Sequence, residues 1–104
     1  MEGQRITVCI DSGLEGLIPR YLERRREDVV RIREALDDGH IEDAQTVGHK
    51  MRGSGGGYGF DALTDLGGQI ETAAVVGDTA AVWRLAQELE DYLARIDVRF
   101  VDES

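Results

Sequence analysis

From Ser12 onward, apolar residues recur at helical spacing. Leu14, Leu17, Ile18, Tyr21, Leu22, Val29, Ile32 and Leu36 advance in steps of three and four, with a break at Arg25. Ser12 with Glu15 reads as a capping box, and Pro19 either opens a second helical segment or kinks a continuous one. Asp38-Gly39 ends this first element. A second helix is predicted from His40 or Ile41, with Glu42 and Asp43 suited to its positive N-terminal end. Its far end falls in a glycine-rich stretch, which leaves that boundary open by several residues. Leu63, Leu66, Ile70, Ala73 and Ala74 define a third helix that Gly77 terminates. Asp78 is the expected N-cap of a fourth, whose apolar stripe runs through Val82, Leu85, Ala86, Leu89, Leu93, Ile96 and Phe100, with Trp83 on its flank. Four amphipathic helices with short connections predict an all-α fold, an antiparallel four-helix bundle.

The N-terminus follows a different pattern. Residues 5–10, RITVCI, alternate weakly and are rich in β-branched side chains. One short strand has no partner in this reading, so residues 1–11 are expected to form a short N-terminal extended arm or extra helix lying on the bundle. The competing reading is a stub that pairs with a partner strand.

Composition narrows the class. A chain of 104 residues, 41% apolar and 32% charged, fits one domain over residues 1–104 with a single core. One cysteine, Cys9, allows no intrachain disulfide and no cysteine-based zinc site. With no apolar run near ~20 residues and no signal-peptide pattern, the expectation is a cytoplasmic protein that does not enter a membrane. A net charge of −9 argues against nucleic acid as a partner. The Arg24–Arg26 run, interleaved with Glu23, Glu27 and Asp28, is read as a solvated helix face.

Candidate chemistry gathers in the run GHKMRGSGGGYGF, Gly48 to Phe60. Glycines inside a helix cost roughly 0.5–1 kcal/mol each relative to alanine, so a cluster needs a reason beyond propensity. On a helix, Gly56 falls within about 20° of His49, Gln45 and Gly53 within about 40°, and Thr46 and Arg52 within about 60°. Val47, Met51, Ser54 and Tyr58 lie opposite, so Val47, Met51 and Tyr58 face the core and His49 faces water. A neutral imidazole is a competent nucleophile, Arg52 is placed to neutralise added negative charge, and Lys50 reaches the site only through its long stem. The glycines near His49 are read as clearance for an approaching partner, and Gly57 and Gly59 as the turn into the next helix.

Other chemistries fit less well. The glycines lack both the dinucleotide-binding and the P-loop spacing, and no strand precedes them. His40, His49, Glu42 and Asp43 stand at different heights along one helix, so no metal site is expected. His40 is read as a residue of the N-terminal turn.

The stretch His49-Lys50-Met51-Arg52-Gly53-Ser54 resembles the signature of histidine-containing phosphotransfer (HPt) domains, H-x-x-K-G-[SA]. Tyr58-Gly59-Phe60 and then Leu63, Leu66 and Ile70 are similar to that family's path into its third bundle helix. The likeness spans roughly residues 12–100, its specific part residues 45–75. It implies that His49 accepts a phosphoryl group on Nε2 from a phospho-aspartate receiver domain and passes it to another receiver. Arg52 stands where the family usually has lysine, Gly53 matches the glycine that admits the receiver, and Glu71 matches a polar position that bonds imidazole Nδ1. Gln45 and Lys50 are supporting residues, and Gly56 and Thr46 belong to the docking surface. The implied partners are response-regulator receiver domains, and a hybrid sensor kinase. Mg²⁺ comes with the receiver, and the chain itself binds no ATP, holds no cofactor and works as a monomeric phosphocarrier rather than an enzyme. The alternative is a helical docking module that regulates a receiver or kinase without accepting phosphate.

Overall fold

The computed structural model describes residues 4–102. In chain order it contains strand β1 (Ile6–Asp11), a 3₁₀ turn at Ser12–Leu14, helices α1 (Ile18–Asp37) and α2 (Ile41–Gly55), and a 3₁₀ turn at Gly56–Tyr58. Helices α3 (Asp61–Val75) and α4 (Thr79–Arg95) and strand β2 (Ile96–Val101) follow. Four helices are present, as the apolar periodicity predicts.

Local chemistry explains the boundaries. Pro19 lies in the first turn of α1, where its missing N–H leaves no bond unmade, so it opens the helix rather than kinking one. The Ser12–Glu15 capping box therefore does not cap α1. Asp11 instead caps the 3₁₀ turn, accepting from the Gly13 N–H at 3.1 Å. Asp78 caps α4 as expected, its side chain accepting from the Ala81 N–H at 3.1 Å. Gly77 has φ of 74°, the left-handed conformation that ends α3 at little cost.

The helices close a ring in which α1 packs on α2 and α4, and α3 packs on the same two. Ile18, Ile32, Met51, Phe60, Leu63, Ile70, Leu85 and Leu89 fill its interior. No helix among the described residues is long and apolar enough to cross a membrane.

Two further sequence expectations change. The arm at the N-terminus has a partner within the chain: β1 pairs in parallel with β2, in register from Ile6 opposite Ile96 to Asp11 opposite Val101. The fourth helix correspondingly stops at Arg95, and Ile96 and Phe100 leave the helical stripe. Leu93, Ile96 and Phe100 fit a helical period, but Ile96, Val98 and Phe100 also fit the strand period of two. The β-branched residues and the available ladder with β1 decide for the strand.

The second change concerns the break at Arg25. Its side chain is only 13% exposed, and its Nε donates to Asp28 Oδ2 at 2.8 Å. The guanidinium lies 4.4 Å from the centre of the Tyr21 ring. Arg25 and Asp28 thus continue the inward stripe as an ion pair, while Glu23, Arg24, Arg26 and Glu27 are exposed as expected. Burial pushes the Asp28 carboxyl above its ordinary value, with Arg25 acting against that shift. On the other side of α1, Arg33 grips Glu90 of α4 with two hydrogen bonds, at 3.0 and 3.2 Å.

Candidate functional site

The site is built where α2 and α3 come close. A Cβ on Gly48 would stand 2.8 Å from the Glu71 backbone nitrogen and 2.8 Å from the Gly67 carbonyl oxygen. One on Gly67 would stand 2.5 Å from the Arg52 nitrogen, and one on Gly55 would stand 2.6 Å from the Thr64 nitrogen. Real side chains do not tolerate such distances to backbone, so these three glycines set the approach of the two helices. Gly48 and Gly55 lie seven positions apart and share a face of α2. Thr64 completes the contact, accepting from the Gly56 N–H at 2.8 Å and donating to the Arg52 carbonyl at 3.2 Å.

This approach brings Glu71 of α3 beside His49 of α2. The imidazole is 62% exposed, and its Nδ1 lies 3.0 Å from Glu71 Oε2. Arg52 Nη2 is farther from the same nitrogen, at 3.4 Å, and Arg52 Nη1 is 3.3 Å from Glu71 Oε1. The shorter, charge-assisted contact makes Nδ1–H the donor to Glu71. Nε2 then carries the free lone pair, on a side chain open to solvent. Glu71 Oε1 is buried without an aligned hydrogen bond, and the Arg52 charge beside it offsets that cost. The three side chains form one unit: an exposed imidazole, a carboxylate that orients it, and a cation that balances the carboxylate.

The surrounding positions separate into two groups. Gly53 is exposed with nothing within 4 Å of a built Cβ, which suits it to face a partner. Gln45 is half-buried one turn before His49, and Gly56 is exposed but turned toward Thr64. Lys50 and Thr46 instead line a groove between α1 and α2 with Arg20, Arg24 and Arg31. On the inward side Met51 is fully buried, and Ser54 bonds the Tyr21 hydroxyl at 2.9 Å. Tyr58 stacks on the same Tyr21 ring at 4.1 Å between centres. Gly59 has φ of 93° and turns the chain into α3, as expected of it.

Sequence reasoning does not single out Gly67, and it does not separate Gly48 and Gly55 from the other glycines of the run. Their spacing of seven was the available signal, since it repeats one face of a helix and that face is not the one His49 occupies.

The chain matches the family model described as Hpt domain over residues 16–98. It belongs to the Hpt domain family. Hpt domains are phosphotransfer modules of phosphorelays that interact with response-regulator receiver domains, and they are not typical enzymes. Comparison with curated proteins and with solved structures gave no match. The Hpt match covers all four helices and the first half of β2, and it leaves β1 outside.

Proposed function

We propose that this Hpt domain is a histidine phosphocarrier, with His49 Nε2 as the acceptor atom and successive helices of the bundle running antiparallel. The observation that supports this reading is the 3.0 Å contact between His49 Nδ1 and Glu71, which holds a proton on Nδ1 and makes Nε2 the nitrogen with the lone pair in the neutral ring. In the forward step, the Nε2 lone pair attacks the phosphorus of a receiver's phospho-aspartate. The bond from phosphorus to the aspartyl oxygen breaks, and the carboxylate leaves with its electron pair. The ring becomes a phosphorylated imidazolium whose proton stays on Nδ1, bonded to Glu71. Transfer onward reverses these bonds with a second receiver. Arg52 offsets the charge that the phosphoryl group adds, and Gly53 lets the receiver approach closely. The receiver supplies Mg²⁺ and the aspartate, so this chain contributes positioning and charge balance.

Incubation with a phosphorylated receiver and Mg²⁺ tests the proposal. Acid-labile label is expected on the wild type and not on His49→Gln. Gly53→Leu should keep the helical content and lose most of the transfer rate. A wild-type chain that binds the receiver but never takes label would establish the docking-module reading instead.

A further inference from the structure

The two-stranded sheet takes no part in the phosphoryl chemistry. Its inward face carries Ile6, Val8 and Ile10 from β1 and Ile96, Val98 and Phe100 from β2, and of these only Ile10 is fully buried. Among the described residues the sheet has no third strand. Each strand therefore turns a row of N–H and C=O groups outward, which is a template for another strand. Two strands alone are marginal in water, and parallel strands are ordinarily covered on both faces. The end of β1 is already engaged, with Ile10 packed at Gly59 and Asp11 capping the turn that follows. The edge of β2 is bordered by an alternation of charged and apolar side chains, Asp97 and Arg99 between Ile96, Val98 and Phe100.

The sequence of β2 identifies what fits that edge. Two copies related by a two-fold axis pair identical edges antiparallel. With the axis at Val98, Ile96 falls opposite the partner's Phe100, and Asp97 opposite the partner's Arg99, each twice by symmetry. Moving the axis to Asp97 or to Arg99 sets like charges against each other. A half-step sets inward side chains against outward ones. The Val98 register alone among these joins apolar to apolar and acid to base. Within one chain Arg99 Nε and Nη2 already reach Asp97 Oδ2 at 3.0 Å. Arg99 remains 67% exposed, so its guanidinium has further N–H donors to offer a second carboxylate.

We propose that two copies of this chain join edge to edge through β2, forming one four-stranded sheet in the order β1-β2-β2-β1. This departs from the monomer expected from the sequence, and it is independent of phosphorylation at His49. Analytical ultracentrifugation of the full chain over a range of concentrations tests it. The wild type should show a concentration-dependent dimer. Asp97→Arg and Arg99→Asp should each weaken it about tenfold, since each replaces two opposite-charge pairs with two repulsive ones. The double variant Asp97→Arg/Arg99→Asp should recover the dimer. An equimolar mixture of the two single variants should associate more tightly than either alone. Unchanged helical circular dichroism and melting would show that the variants are folded. A wild type that stays monomeric at high micromolar concentration overturns the proposal. So do single variants that dimerise like the wild type, or a double variant that fails to recover.

Discussion

Helix α2 is held on its two sides by opposite means. Toward α3 it presents glycines, and backbone meets backbone at Gly48, Gly55 and Gly67. Toward α1 it meets long side chains: the Tyr21 ring stacked on Tyr58, its hydroxyl on Ser54, and the Arg25–Asp28 pair behind it. A backbone contact has no rotamers to relax, so it fixes where His49 and Glu71 stand relative to each other. A side-chain contact adjusts, and it holds α1 in place without setting the site. The contrast teaches that reactive geometry here depends on the residues with least chemistry of their own.

The sharpest way to break this comparison is to add a methyl group on the tight side. Gly67→Ala should cost about 3 kcal/mol, because its Cβ has only backbone to displace. Gly53→Ala, on the open face of α2, should gain about 0.5–1 kcal/mol from helix propensity. Urea denaturation of both variants measures the difference, and equal effects would remove the distinction between packing and access glycines.

Next in size is the adjustable side. Arg25→Ala should cost about 2–3 kcal/mol, since it leaves Asp28 buried without its partner. Replacing the pair together by Leu should recover most of that loss, which an equivalent pair of changes at Gly48 and Gly67 cannot do. Thermal melts of the single and double variants separate the cases.

At the site itself, Glu71→Ala should slow phosphoryl transfer about tenfold, the worth of one charge-assisted hydrogen bond, while leaving receiver binding intact. Glu71→Gln should lose less, because an amide oxygen still accepts from Nδ1–H. Rapid-quench transfer assays, with affinity measured separately, distinguish orientation from docking.

The smallest effect is in pH. Burial raises the Asp28 pKa in the folded state, so folded protein holds that proton more tightly than unfolded protein does. Its contribution to stability therefore grows as pH falls through the raised value toward the ordinary carboxylate range. Glu90, lowered by its hydrogen bonds with Arg33, acts oppositely: its contribution is present above the unfolded value and fades as pH falls through the lowered one. Comparing wild type with Asp28→Asn in urea at neutral and mildly acidic pH isolates the first term. The stability difference should move in favour of the wild type on acidification.

The helices and the histidine were legible in the sequence because both rest on short-range patterns. Apolar spacing places α1 to α4, Asp78 and Gly77 mark their ends, and rotation about α2 turns His49 outward and Met51 inward. What was not legible depends on pairing between distant segments. Ile96, Val98 and Phe100 satisfy two periodicities, and only the presence of β1 some 90 positions earlier selects the strand. Arg25 breaks an apolar stripe on paper but continues it in space, because Asp28 and the Tyr21 ring neutralise and cover it. The division among glycines is hidden for the same reason, since a packing glycine is defined by what lies across from it.

That division bears on how the protein can change over time. Gly48 and Gly67 are constrained from within: any replacement is paid in folding, whatever the cell contains. Gly53 has open space around it, so in the proposed function it is constrained only from outside, by the receiver that docks on the histidine face. A descendant freed from its partner could fill position 53 and become more stable for it, while positions 48 and 67 stayed as they are. The glycine run would then record two histories, one of the fold and one of the company it keeps.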